Sequence, residues 1–335
     1  MMGGVKPLSL KRQFIFFSQL TNLYKAGITI AQGLGHLRDQ VEDRQLSEII
    51  EKLEDCMLRR NMPLTDALRT MPGLLPPLIM ALVEQGEVTG RLDLMFARIV
   101  QIVEKRLARM REVLGALAYP AFIGIVAIFL TPIPAAYQAG PGLYVQQVGT
   151  TLGGLLAVYL LFRFLGNTIK STPSIRYRVH KRLLGVPVFG KLLRKVILAR
   201  FCRAMSIMLA SGLPADRAVS IAGRATENDY IALASGAAVD SIRDGNSLAE
   251  SIRRCNIFPE SFSKMLASGE VTGETTNQLD RLADLYDSEA DAAIGMMMKA
   301  LGPMVLMVVA GLIAWQIIGF YMKQWGDLEK LYRSL

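Results

Sequence analysis

The sequence predicts an all-α membrane protein with two repeated cytoplasmic helical-bundle domains and three transmembrane helices. Three observations predict it. The pentapeptide Gly86-Glu87-Val88-Thr89-Gly90 returns unchanged as Gly269-Glu270-Val271-Thr272-Gly273, 183 positions later. Residues 113–162 contain no Asp, Glu, Lys or Arg, and neither do residues 300–322. Outside these stretches apolar residues recur at intervals of three and four, with no alternating strand pattern in competition.

The repetition extends well beyond the pentapeptide. Phe16 to Gly27 aligns with Phe201 to Gly212 at an offset of 185, Leu64 with Leu248 at 184, and Pro76 and Pro120 with Pro259 and Pro303 at 183. That drift needs two single-residue length changes, which loops absorb at small cost and packed helices do not. Internal repetition therefore sets the architecture ahead of any local reading.

Taken in order, residues 1–13 form an N-terminal segment without the apolar core of a signal peptide. Repeat 1 occupies 14–112. Its first helix carries Phe14, Phe17, Leu20, Leu23 and Tyr24 on one face and closes at Ala26-Gly27 in the manner of a left-handed cap. An amphipathic helix follows over about Glu42 to Arg60, with Leu46, Ile49, Ile50, Leu53 and Met57 sharing a face. Further helices begin at Pro63 and Pro76, and the longest follows Gly90 towards the first uncharged stretch. About six helices in 100 residues describe a compact bundle. Repeat 2, over 199–299, repeats the plan, with helices predicted at Asp229 to Arg243, Ser247 to Arg253, Phe258 to Ser268 and Thr275 to Lys299.

A bilayer core about 30 Å thick takes about 20 helical residues, so the two uncharged stretches hold three spans. They are placed at 113–136, 148–166 and 300–322. Pro132, Pro134, Gly140, Pro141 and Gly142 break the first stretch and predict a short external loop at 137–147, because interrupted backbone is not tolerated in lipid. A mean hydropathy of +0.31 reflects these stretches.

Charge sets the expected orientation. The net charge is +9, and residues 163–215 carry eleven basic and no acidic residues. Arg163, Lys170, Arg176, Arg178, Lys181, Arg182, Lys191, Arg194 and Lys195 form a membrane-surface cluster, most of it in a basic linker at 167–198, and Arg200 and Arg203 continue it. By the positive-inside rule this flank is cytoplasmic, as is that of Lys105, Arg106, Arg109 and Arg111. Both repeats then lie in the cytoplasm and the C-terminal tail, 323–335, on the far side. Anionic lipid accounts for the cluster; nucleic acid is disfavoured because no aromatic platform interleaves with the basic residues.

In the pentapeptide, the first glycine (Gly86, Gly269) is expected to take the positive φ that ends a helix, and the second (Gly90, Gly273) to let the next helix start at close range. The glutamates, Glu87 and Glu270, are expected to serve the amide dipole of that next helix, with a partner's arginine as the competing reading. The final helix of repeat 2 is acidic, with Asp280, Asp284, Asp287, Glu289 and Asp291, where that of repeat 1 is basic, so the copies meet different neighbours.

Catalytic chemistry is not expected. Gly185 to Lys191 fits the start of GxxxxGK[ST], but Leu192 stands where a hydroxyl is required and Pro187 removes an amide. The two histidines, His36 and His180, have no nucleophile or second ligand at a recognisable spacing, and Cys56, Cys202 and Cys255 are widely spaced free thiols. No cofactor or metal site is expected. The spans carry no charge, which disfavours a transporter.

The two helix ends (Ala26-Gly27-Ile28, Ser211-Gly212-Leu213), the Gly-Glu-x-x-Gly turns, Tyr119-Pro120 and Gly302-Pro303 at the following spans, and the Val-Pro-x-x-Gly-Lys approach to repeat 2 resemble the GspF/PilC family. That family supplies the inner-membrane platform of type II secretion systems and type IV pili. The resemblance implies a homo-oligomeric, multi-pass platform in the bacterial inner membrane. It implies contacts with a cytoplasmic assembly ATPase, with pilin or pseudopilin subunits and with other inner-membrane components, the ATPase being coupled to pilin extraction. A passive scaffold without motor coupling is the alternative. The short chain, with Thr131-Pro132-Ile133-Pro134 between spans, is similar to the compact type IVb pilus branch.

Overall fold

The computed structural model describes residues 7–133, 140–171, 173–187 and 189–333. Among them the chain forms fourteen helices and no strand. The first repeat comprises α1 (Leu10–Lys25), α2 (Ile30–Gln40), α3 (Arg44–Arg59), α4 (Leu64–Arg69), α5 (Pro77–Thr89) and α6 (Leu92–Leu130). Two connecting helices follow, α7 (Pro141–Ser171) and α8 (Pro173–Leu183). The second repeat comprises α9 (Phe189–Ala210), α10 (Ala215–Ala225), α11 (Asp229–Arg243), α12 (Leu248–Arg254), α13 (Glu260–Thr272) and α14 (Thr275–Arg333).

Local chemistry explains where the helices start and stop. Ser9, Thr29, Asp43, Asn228 and Ser247 each turn a side-chain oxygen back onto an amide of the first turn, satisfying a donor that the helix leaves open. At most of the other ends the repeats match in left-handed backbone; the exception is the pair α2 and α10, where Val41 is extended and Glu227 has φ 57°. Gly27 and Gly212 have φ of 84° and 86°. Asn61 (φ 50°) occupies the position of Gly245 (φ 89°), and Gly73 (φ 82°) that of Asn256 (φ 51°). Only glycine and, at modest cost, asparagine adopt this region readily. The duplicated backbone has kept its turns while exchanging one permissive residue for the other.

The chain divides into a bundle, Met1–Met110 with Tyr177–Ala290, and a second unit, Arg111–Arg176 with Asp291–Leu335. In the bundle successive helices pack on one another within each repeat, and α5 of the first packs against α10 of the second. The buried apolar residues of both repeats form one continuous cluster. Each repeat centres it on a different ring. Phe96 packs against Phe17 and Tyr24, with centroids 5.9 and 6.2 Å apart, while Phe262 packs against Phe201 and Phe258 at 6.3 and 5.0 Å. Leu279 stands at the position of Phe96, and Ile79 at that of Phe262. The core has moved its bulk between equivalent helices at roughly conserved volume, the kind of exchange cores tolerate best. Cys202, at the position of Phe17, is fully buried, and that burial pushes its thiol well above the usual range.

Among the described residues three helices are long and apolar enough to cross a membrane: α6, α7 and α14. The external loop expected at 137–147 lies outside the described residues through 139, and from Pro141 onward the chain is already in α7. Tyr144 at the start of α7 donates to the Phe129 carbonyl of α6 at 3.3 Å. Pro120 and Pro303 do not stand at the start of a helix: each lies inside an unbroken one, of 39 residues in α6 and 59 in α14. The two long helices meet at equivalent positions, where a methyl group built on the buried Gly302 would lie 3.7 Å from the Tyr119 ring.

Candidate functional site

The repeated pentapeptide takes a different form from the one expected. Gly90 and Gly273 hold the left-handed conformation, with φ of 69° and 72°, and end α5 and α13. Gly86 and Gly269 lie inside those helices without positive φ, one turn earlier. They are glycine for lack of space. A Cβ on Gly86 would fall 2.9 Å from Met95 Cγ and 3.0 Å from Leu92 Cδ2, and one on Gly269 would fall 3.1 Å from Thr275 Cα. The reversal has a simple cause: a bare Cα lets the next helix fold back against its predecessor, and this close approach requires the turn glycine to come last.

The glutamates also point elsewhere. Glu87 reaches back to the first amides of α4, its two oxygens accepting from Leu64 N–H at 2.6 Å and Thr65 N–H at 2.9 Å. Glu270 does the same at α12, accepting from Leu248 N–H at 2.6 Å and Ala249 N–H at 2.8 Å. Each carboxylate therefore caps the short helix before its own, placing negative charge where the amides and the dipole favour it. In repeat 2 Ser247 adds a bond to Glu250 N–H, whereas in repeat 1 the capping position is Pro63, which has no side chain to offer. With both oxygens engaged inside the fold, the observed geometry is that of a clamp.

A second constellation joins the repeats. Arg106 of α6 lies 3.7 Å from Glu227, which also pairs with Arg200 of α9 at 2.9 Å. Arg109 pairs with Asp287 of α14 at 3.1 Å. Arg203 faces Asp280 at 3.1 Å, Asp287 at 3.5 Å and the close partner Asp284. Positions 280, 284 and 287 share one face of α14. Burial pulls the Arg106 guanidinium down from its ordinary value, with Glu227 opposing. Arg203 is also pulled down by burial, but its three aspartates outweigh this and raise it. A cation with a raised value contributes its stabilisation at every pH below its ordinary one and loses it only as pH climbs past the raised one. Arg203 therefore stays charged at any working pH. Glu227 is the one residue of this set with positive φ, at 57°. Strain of this kind persists where surrounding contacts hold it, here two arginines.

The acidic final helix of repeat 2 thus meets the basic helices of both repeats, which accounts for the charge asymmetry between the copies. It also draws Lys195 out of the membrane-surface cluster, since its ammonium lies 3.0 Å from Glu289, and Arg200 and Arg203 are committed likewise. Arg163, Arg178, Lys181, Arg182, Lys191 and Arg194 are exposed, Arg176 is half-buried, and the side chain of Lys170 lies outside those described. We expect Arg203→Leu to cost about 1–2 kcal/mol, because three aspartates lose a shared hydrogen-bonded cation, and to cost less at high salt. Chemical denaturation of the detergent-solubilised protein at low and high salt measures both. A cost independent of salt would show that packing, not charge, is lost.

The linker docks on repeat 2. His180 Nδ1 accepts from the Asp229 amide at 3.1 Å, the Tyr177 and Tyr230 rings lie 5.7 Å apart, and Leu184 buries against Ile197 and Ile231. The GxxxxGK stretch begins in a turn at Gly185 and ends in the first residues of α9. The amides of Gly185, Val186 and Gly190 donate to Arg182, Leu183 and Val186 carbonyls at 2.9, 3.3 and 2.8 Å, so they are not turned outward to cradle a phosphate. A Cβ on Gly190 would lie within 2.8 Å of the Leu184 carbonyl carbon and closer still to its oxygen.

Comparison with known proteins places this architecture. The family described as type II secretion system (T2SS), protein F matches residues 16–137 and again 201–322. The chain is 28% identical to type II secretion system protein F of Aeromonas hydrophila, an alignment covering 88% of this chain and 81% of that one. It is 28% identical to the type IV pilus assembly protein PilC of Thermus thermophilus, covering 93% and 82%. It is 26% identical to PilC of Myxococcus xanthus, covering 96% and 80%.

Proposed function

The chain belongs to the type II secretion system protein F family, and from that premise we propose that it is the inner-membrane platform of a type IV pilus or type II secretion machine. In this role it couples a cytoplasmic assembly ATPase to the extraction of pilin or pseudopilin subunits. One observation carries the coupling: α6 and α14 each run unbroken from the charged bundle into an uncharged, span-length stretch. A continuous helix transmits a displacement that a loop would absorb. The bundle, with the basic flanks at 105–111 and 163–195, is cytoplasmic by the positive-inside rule, and the end of α14 is periplasmic. The glycines of the turns and Pro120 and Pro303 serve the fold, and Glu87 and Glu270 hold the bundle that meets the motor.

The test is a flexible insertion. Gly-Ser-Gly-Ser placed between Met110 and Arg111 is expected to leave membrane insertion and co-purification with the cell's own assembly ATPase intact. It should reduce filament assembly or secretion more than tenfold in a strain lacking the native protein. Full assembly with the insertion would support a passive scaffold instead, and absence of any ATPase co-purification with the wild-type chain would remove the motor reading.

A further inference from the structure

The second repeat opens earlier than the bundle plan requires. Leu10, the first residue of α1, corresponds to Lys195 when the repeats are aligned, yet α9 already starts at Phe189. That extra turn of helix, and α8 before it, have no counterpart ahead of repeat 1 among the described residues.

The addition ends in an apolar tip. Leu184 is buried and pins the turn between α8 and α9 to Ile197 and Ile231, while the amides of Gly185, Val186 and Gly190 are bonded within it. Around that anchored residue Leu183, Val186 and Phe189 stay 42%, 41% and 61% exposed. A turn held by its own hydrogen bonds therefore projects three large apolar side chains that the bundle does not cover.

The charges flanking the tip are all positive. Arg182, Lys191 and Arg194 are exposed, and between Glu112 and Asp216 the sequence has no acidic residue. Unpaired arginines stand elsewhere on the bundle; what distinguishes these is their place among exposed apolar side chains on the segment that follows a span. Along the chain only α8, 11 residues or about 16 Å, separates the tip from the end of α7. A bilayer surface supplies both matching properties, apolar chains beneath a layer of phosphates. The cytoplasmic leaflet is anionic, and segments that bind it combine exposed aliphatic and aromatic side chains with Lys and Arg.

We propose that the turn joining α8 to α9 is an interfacial anchor. Leu183, Val186 and Phe189 enter the headgroup region of the cytoplasmic leaflet, and Arg182, Lys191 and Arg194 pair with the phosphates of anionic lipid. The anchor rests on the basic flank being cytoplasmic and is independent of motor coupling. Because Leu184 ties the turn to Ile197 and Ile231, lipid bound there fixes repeat 2 to the bilayer.

The test uses the full chain in nanodiscs, with Trp315→Phe and Trp325→Phe removing the native indoles and Phe189→Trp supplying the one that reports. In phosphatidylglycerol discs, lipid brominated near the headgroup end of its chains is expected to quench the emission about twofold, while aqueous acrylamide quenches little. Arg182→Glu with Lys191→Glu should reverse both effects at an unchanged melting temperature, and phosphatidylcholine discs should show weaker lipid quenching. If Phe189→Trp lowers the melting temperature, Val186→Trp takes the same readings at a second exposed site. An indole open to acrylamide and unquenched by lipid in phosphatidylglycerol would overturn the anchor. One shielded from both quenchers would place a protein surface on the turn and overturn it as well. Lipid quenching that is equal in the two lipids and indifferent to charge reversal would overturn the pairing with anionic headgroups. ATPase co-purification, which tests the motor reading, is read separately from all of these.

Discussion

Replacing Glu87 and Glu270 together by alanine is expected to lower the melting temperature of the solubilised protein by about 10–20 °C. Each carboxylate accepts from two helix-terminal amides. Charge-assisted bonds of this kind contribute about 1.5–3 kcal/mol, and the amides left behind have no side chain to replace them at α4, where Pro63 precedes the helix. At about 2–3 kcal/mol per site and about 2–4 °C per kcal/mol, the double variant loses about 4–6 kcal/mol. Glu87→Ala alone should cost more than Glu270→Ala, since Ser247 still caps α12. Filament assembly in cells should then fall in proportion to the folded protein present. An unchanged melting temperature with assembly abolished would show that the carboxylates meet a partner and not the helices.

The second large effect is at Gly190. Alanine there forces a methyl group against the backbone of Leu183 and Leu184, which cannot move aside as a side-chain tip can. The turn must open, releasing α8 and exposing Leu184 and Ile197, at a cost of about 3 kcal/mol. Trypsin should then cut at Arg182 and Lys191 at least tenfold faster than in the wild type, with a melting temperature about 6–12 °C lower. Gly185→Ala, whose methyl would meet only the Arg182 carbonyl at 3.3 Å, serves as the mild control. Equal proteolysis of Gly190→Ala and wild type would mean that the turn between Leu183 and Gly190 is not the hinge on which the linker depends.

The parts of this fold legible in the sequence are those written in local spacing. Uncharged stretches give spans, three- and four-residue periodicity gives helices, and the matched Gly27 and Gly212 give helix ends. What escaped is a matter of distance along the chain. Glu87 caps a helix that starts 23 residues earlier, and no periodicity links the two. Two signals were nonetheless present. Pro63 leaves its helix without a side-chain cap, so a carboxylate was needed from elsewhere. A glycine at 86, inside a helix, costs about 1 kcal/mol relative to alanine unless a neighbour crowds it. Glu227 carried no signal at all, because its role rests on Arg106 and Arg200, which only the packing of the two repeats brings together.

The crossing of Tyr119 and Gly302 bears on why the duplication is carried in one chain. Two identical subunits related by a twofold axis must present the same residue to each other at such a point. Two tyrosines would collide there and two glycines would leave a void. Fusion of the copies freed the two positions to change separately, so a ring from one can rest on the bare backbone of the other. The covalent link thereby made available a knob-and-socket contact that symmetry denies to a homodimer.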